Sequence, residues 1–314
     1  NLTTSIVMIS LLRKLIGDKY DRWFFAGIVV VAANAGGAWS PIGDVTTTML
    51  WIGGQLTTAT IISTLFIPSL VAMVVPLLVL TFTLKGNVAR PVTKEGLEHY
   101  INPTTAFERN LIFFLGLAGL LFVPIFKTVT HLPPFMGMML SLGVMWAVTE
   151  VIHSSKNRED KSHLSVIGVL RKVDTASVLF FLGILLAVAG LQSAGHLAVM
   201  AGSLNDAFDG NIYAINIVIG LLSSIVDNVP LVAGSMGMYE VAEAGAFAQD
   251  GVFWQFLAFC AGTGGSALII GSAAGVAVMG LEKIDFVWYL KKISILALIG
   301  YFAGAGTYIL MQSF

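Results

Sequence analysis

Ser223-Ser224-Ile225-Val226-Asp227-Asn228-Val229-Pro230 interrupts an apolar stretch, Ile212 to Tyr239, that is otherwise long enough to cross a bilayer. Pro230 prevents a continuous helix, and a carboxylate at membrane depth is expensive unless it has a task. The stretch is expected to enter and leave on one side, as a re-entrant hairpin. Basic residues support this. With 212–239 a hairpin and 1–16 the return arm of another, loops 13–22, 85–109, 151–173 and 282–292 share one side. Those loops hold 16 of the 17 Lys and Arg, and only Lys127 faces the other way. A single crossing at 212–239 would instead expel Lys283, Lys291 and Lys292. The positive-inside rule therefore favours the hairpin and places the basic side in the cytoplasm. The opposite side receives Asp206, Asp209, Glu240, Glu243 and Asp250.

Composition fixes the solvent. Of 314 residues 56% are hydrophobic and 11% charged, against roughly 25% charged in a soluble domain. Mean hydropathy is +0.86, so lipid is the main partner surface. A net charge of −1 excludes nucleic acid, which needs a concentrated basic face. The single cysteine, Cys260, lies in an apolar run and forms no intrachain disulfide. No signal peptide is visible at the start. The chain begins at Asn1, inside a patterned segment, and reads as lacking an N-terminal portion.

Expected spans are Phe24–Ala33 continuing brokenly toward Trp51, then Thr58–Leu84, Asn110–Phe126, Pro134–Glu150, Asp174–Leu191, Phe253–Leu281 and Phe286–Leu310. Arg90 to Glu108 is polar and of mixed charge, an interfacial helix or a solvated linker. On this reading 1–84 closes a first repeat, 85–109 links, and 110–314 is the second.

Two parts of the chain look alike. Asn34-Ala-Gly-Gly-Ala-Trp-Ser-Pro-Ile-Gly-Asp44 resembles Gly262-Thr-Gly-Gly-Ser-Ala-Leu-Ile-Ile-Gly-Ser272. Setting Asn1 on Asn228 leaves 33 residues to Asn34 and 34 to Gly262, and Gly43 then falls on Gly271 after a one-residue shift. The turn after the first hairpin arm (13–22) is basic and that after the second (240–251) acidic, so the two insert oppositely. The expected fold is an all-α polytopic membrane protein, an inverted-topology repeat with re-entrant hairpins and discontinuous transmembrane helices. In such folds ion sites lie near the midplane. The glycine-rich breaks are candidate walls of that site, because freed backbone groups at membrane depth are tolerated where they line a cavity. Close helix packing is the alternative role of the glycines.

Three carboxylates fall outside loops: Asp44, Asp174 and Asp227. Asp174 is alternatively a helix N-cap. Around them stand Asn34, Thr46, Thr47, Thr175, Asn228, Asn1, Thr263 and Ser266, all neutral oxygen donors. Oxygen ligands without soft ones suit a hard cation; Asp227, Asn228, Asn34 and Asp44 are the candidate Na+ ligands. Burial favours a protonated carboxyl, so one site that takes Na+ or H+, but not both, is an antiporter. No resident cofactor is expected. His99, His131, His153, His163 and His196 lie in loops or near helix ends and read as interfacial residues, with pH sensing the alternative.

The 34–51 motif, His131-Leu-Pro-Pro-Phe-Met-Gly137, Arg171-Lys-Val-Asp-Thr175 and Asp227-Asn-Val-Pro-Leu231 resemble NhaD-type sodium/proton antiporters of the ion transporter superfamily. The resemblance implies Na+ (or Li+)/H+ exchange in a bacterial inner membrane, a homodimer with an elevator-like transport domain, and transport roles for Asn34, Asp44, Thr46, Thr47, Asp174, Thr175, Asp227 and Asn228. Family members carry an Asp just before the residue matching Asn1, so a principal carboxylate falls outside this sequence. The nearest alternative is a sodium-coupled carboxylate or oxyanion transporter of the same superfamily. An intramembrane aspartyl protease is a more distant one, since Pro41-Ile42-Gly43-Asp44 lacks the first glycine of Gly-x-Gly-Asp. The expectation is a transporter, not an enzyme.

Overall fold

The computed structural model describes the chain except residues 84–85, 87, 92–103, 158–163, 172–174 and 314. Among the described residues every regular element is a helix, and the only sheet-like pairing is an isolated bridge between Ala242 and Ala248. The interfacial helix considered for 90–108 falls largely outside the described residues, as do Asp174, His99 and His163.

The chain packs as two compact units, residues 94–183 and the combination of 1–93 with 184–314. In the first unit, α5 (Ala106–Thr130) and α6 (Pro134–Ile152) are long and apolar enough to cross a bilayer. Their flanks expose Phe113, Phe114, Leu121, Val129 and Met139, as lipid-facing helices do. α5 starts from a capping box, Thr105 with Glu108. Short α7 (Val166–Leu170) follows, and α8 (Thr175–Ser193) begins in this unit and ends in the other.

The larger unit opens with α1 (Leu2–Leu15), α2 (Lys19–Ala38), α3 (Val45–Ile52) and α4 (Thr58–Thr83). After α8 come α9 (His196–Ala207), the hairpin α10 (Ile212–Leu222) and α11 (Asn228–Met238), then α12 (Val252–Gly264), α13 (Ala273–Glu282), α14 (Phe286–Lys292) and α15 (Ser294–Met311). α4 and α15 also qualify as spans, and α8 with α9, bent by 78° at their junction, form a fifth apolar passage. The interruption is therefore a real break, at 223–227, with Pro230 accommodated in the first turn of α11, and the 24–51 and 253–281 stretches are each two helices. The last expected span is also divided, at Ile293. α9 was not among the expected elements.

Residues 228 apart in sequence occupy matching places. α3 and α13 start at Val45 and Ala273; α4 and α14 start at Thr58 and Phe286. In the first break a Cβ on Gly37 would lie 2.9 Å from the Gly43 carbonyl oxygen; in the second a Cβ on Gly265 would lie 2.5 Å from that of Gly271. The glycines are there because backbone meets backbone. The pairing extends to contacts between halves. A Cβ on Gly300 would meet Pro76 Cγ at 2.7 Å, and one on Gly304 would meet Ala72 Cβ at 3.0 Å; Ala72 matches Gly300 and Pro76 matches Gly304. α4 and α15 thus pack across a local two-fold at the small residues that let them approach. Below it, Ile9, Leu12, Trp23, Val30, Val278, Tyr289 and Ile293 form one buried core joining α1, α2, α13 and α14.

Candidate functional site

The two breaks cross at the centre of the larger unit. Each leaves a helix C-terminus and a helix N-terminus with unpaired backbone groups, and side chains from the opposite half meet them. Asn34, in the last turns of α2, is fully buried. Its Nδ2 donates to Ser266 Oγ (3.0 Å) and Ser272 Oγ (2.9 Å), and its Oδ1 accepts from Asn1 Nδ2 (3.1 Å). The matching position in the other half, Gly262, has no side chain. A Cβ there would meet Ala38 at 3.1 Å and Asp44 Oδ2 at 3.8 Å. Ala38 matches Ser266 and Asp44 matches Ser272, so each contact of Asn34 has a counterpart at Gly262, with bonds on one side and space on the other.

That space belongs to Asp44, which is only 4% exposed. Asp44 and Ser272 occupy the same place, the N-cap of the helix after each break. Ser272 Oγ caps conventionally, accepting from Gly275 N at 3.2 Å. The Asp44 side chain makes no capping bond; it accepts from Asn228 Nδ2 at 3.2 Å. Ser272 is thus paired with Asn34 and Asp44 with Asn228, a diagonal pairing. The reason is that each N-cap reaches the helix crossing it, not its own counterpart.

Thr46, in the first turn of α3, is fully buried, and its Oγ1 meets hydrogen-bond geometry to no other group. Thr47 Oγ1 instead donates to the Ala38 carbonyl (3.4 Å), closing the end of α2. The Asn1 main-chain nitrogen donates to the Gly43 carbonyl at 2.6 Å. Asp227 caps α11 at φ +60°, accepting from Val229 N at 3.3 Å, and is half-buried beside Asn228 in the chain. Thr263 Oγ1 bonds the Phe259 carbonyl of its own helix at 2.6 Å.

The structure therefore gathers Asn1, Asn34, Asp44, Thr46, Asn228, Asp227 and Ser266, leaves Thr47 and Thr263 in backbone roles at the edge, and adds Ser272 and the Gly43 carbonyl. Thr175 is exposed and belongs to the start of α8; Asp174 lies outside the described residues. Tyr289, whose hydroxyl donates to the Ser266 carbonyl at 2.9 Å, supports the second break from behind. Repeat alignment pointed to Ser272; Tyr289 had no local signal, being an aromatic in an apolar helix. The assembled groups are one buried carboxylate and at least four neutral oxygens. That set suits a hard monovalent cation or a proton.

Known proteins resemble this chain over its whole length. A family model described as a citrate transporter, CitMHS, matches residues 1–255. Sodium/proton antiporter 1 of Arabidopsis thaliana is 50% identical over 313 residues, covering 100% of this chain and 53% of that protein. Sodium/proton antiporter 2 of the same plant is 48% identical over 319 residues, covering 100% of this chain and 73% of the relative. The Na+/H+ antiporter NhaD of Vibrio cholerae is 32% identical over 342 residues, covering 100% and 68%. The chain thus spans between 53% and 73% of these relatives' lengths. With its helix-break site and full-length similarity taken together, the chain belongs to the CitMHS citrate-transporter family and, within it, to the NhaD-type sodium/proton antiporters.

Proposed function

We propose that this chain forms the ion-binding core of a secondary active transporter that exchanges Na+ or Li+ for H+ across a membrane. The observation that carries this is Asp44: buried, free of its capping duty, and flanked by an unpaired, buried Thr46 hydroxyl. An ionised carboxylate so placed needs a positive partner. A proton supplies one and a sodium ion supplies the other, and the site has room for one charge at a time. With Na+, the carboxylate, Thr46 Oγ1, Asn34 Oδ1 and the Gly43 carbonyl offer the hard oxygens; with H+, the carboxyl is neutral and the cation leaves. Asp227, adjacent in the chain to Asn228, which donates to Asp44, is the second acceptor. Asp174 and Thr175 are assigned to the pathway on resemblance.

The crossing breaks support opposite insertion of the two repeats, with the basic loops 13–22 and 282–292 on one side and the acidic loop 239–251 on the other. On the resemblance of the sequence motifs, this reading includes a homodimeric scaffold and an elevator-like movement of the ion-binding unit. We place the protein in a proton-gradient-bearing membrane, of which the bacterial inner membrane is one case; no enzymatic activity and no resident cofactor form part of this reading. The citrate-transporter description of the family model favours, as a second reading, sodium-coupled uptake of a carboxylate. Against it stands the carboxylate of Asp44, placed beside the α3 N-terminus that would be the natural seat for an anion.

Asp44→Asn and Asp227→Asn keep residues that serve well as N-caps while removing charge. In vesicles with the full-length protein, each is expected to lower Na+-driven dequenching of a pH-sensitive dye at least 100-fold. Wild-type exchange in Asp44→Asn rejects the assignment, and citrate uptake without proton movement replaces it with the second reading.

A further inference from the structure

The two halves of the larger unit match in their breaks but differ at their mouths. On the side of the acidic loop 239–251, a cavity of about 300 Å³ opens between α3, α8 and α11, lined among others by Met49, Gln55, Gln192, Ala233 and Met236. These residues all belong to one compact unit. On the basic side the corresponding seam, α1 against α13, is shut. Ile9 and Val278 are buried there in one core, and Arg13 is tied to Glu282 and to the Leu281 carbonyl.

The cavity stands over the ion site. Met49 shares a face of α3 with Thr46, three residues earlier, a rise of about 4.5 Å. Ala233 lies five residues beyond Asn228 on α11, about 7.5 Å along its axis. The floor of the cavity is therefore within two turns of Thr46 and of Asn228, the donor to Asp44, and Thr46 carries a buried hydroxyl with no hydrogen-bond partner. The walls combine two amides with flexible thioethers. Amides replace water around a monovalent cation without binding it tightly, and methionine changes rotamer easily. The volume holds several waters at about 30 Å³ each.

We propose that this cavity is the vestibule through which a hydrated monovalent cation reaches Asp44 from the acidic side, with Met49 and Met236 as its inner constriction. The proposal rests on the antiport reading, and its test is separable from it. The lone cysteine of this chain, Cys260, is fully buried, so introduced thiols report cleanly once cysteines elsewhere in the full-length protein are replaced by alanine. Met236→Cys and Gln192→Cys are exposed to a membrane-impermeant methanethiosulfonate, added in turn to each side of sealed vesicles, and labelling is read by mass-tag gel shift.

Labelling from the acidic side is expected to be at least ten-fold faster than from the basic side, to slow at least three-fold in saturating Na+, and to cut exchange ten-fold against the same variant unlabelled. Equal or basic-side labelling, or full exchange after complete labelling, overturns the vestibule. Should Met236→Cys not fold, Gln192→Cys decides alone. Labelling does not require transport, so loss of exchange in Asp44→Asn without acidic-side labelling rejects the vestibule and spares antiport. Acidic-side labelling together with wild-type exchange in Asp44→Asn rejects antiport at Asp44.

Discussion

Asn34 makes three side-chain bonds, to Asn1 and to Ser266 and Ser272 in the second break. Asn34→Ala leaves two buried serines without their donor, at about 1–3 kcal/mol. A fall in detergent melting temperature and a weaker apparent affinity for Na+ are expected together; a variant with neither change removes Asn34 from the site. Its neighbours make a sharper comparison. Gly36 and Gly37 are adjacent, yet a Cβ on Gly36 meets nothing within 4 Å and one on Gly37 strikes the Gly43 carbonyl. Gly37→Ala should cost about 1–3 kcal/mol and Gly36→Ala less than about 0.5 kcal/mol, read by melting in the same detergent. Equal effects would deny the backbone contact. An amide and an acid among small residues in an apolar helix made Asn34 and Asp44 legible in the sequence. The partners of Asn34 were less so, because a bond across 238 positions leaves no local pattern.

Helix ends meet in two clasps, one on each side. Both Glu282 oxygens pair with arginines, Arg13 Nε and Arg22 Nε at 2.6 Å each, and Trp23 Nε1 donates to its carbonyl at 2.9 Å. On the other side Asp250, which matches Arg22, accepts from Thr57 N (2.7 Å) and Thr57 Oγ1 (2.8 Å), while Gln249 Nε2 donates to the Gly54 carbonyl, the counterpart of Glu282 (2.8 Å). The Glu282 side chain is 1% exposed, against 48% for Arg13 and 21% for Arg22. Removing both arginines strands a buried carboxylate and should cost about 3–5 kcal/mol. Glu282→Ala frees cations that reach water and should cost less, about 1.5–3 kcal/mol. Melting temperatures in the reverse order would contradict this burial. Hydropathy, prolines and glycines located nearly all helices. Two were missed: α7, five residues inside the expected loop 151–173, and α9, a short helix carrying Ser203, Asn205 and Asp206, whose apolar content falls below that of a span. The split at Ile293 escaped notice because its flanks read as one apolar run.

At the scale of the molecule, the larger unit is two copies of one design joined along α4 and α15, where Gly300 and Gly304 let the backbones touch. The repeat was visible as Gly-Gly against Gly-Gly and Gly43 against Gly271. What no alignment of two short motifs contains is the diagonal wiring, in which a donor at residue 34 serves the opposite N-cap while its counterpart at 262 makes room for a carboxylate. Asp44 stands where the other half has Ser272, so the two halves are chemically unequal at positions that perfect symmetry would make alike. The glycine pairs that pinch each break carry a consequence for how such a sequence tolerates change in length. From Arg22 to Thr57 and from Asp250 to Asp285 the correspondence runs at a constant 228 positions, without gap. One residue inserted between Gly37 and Gly43 would turn α3 by about 100° about its axis. Asp44 would swing off the crossing and the clasp at Thr57 would miss Asp250. The breaks are thus the least regular part of the chain and yet its least elastic, a ruler whose graduations are backbone contacts.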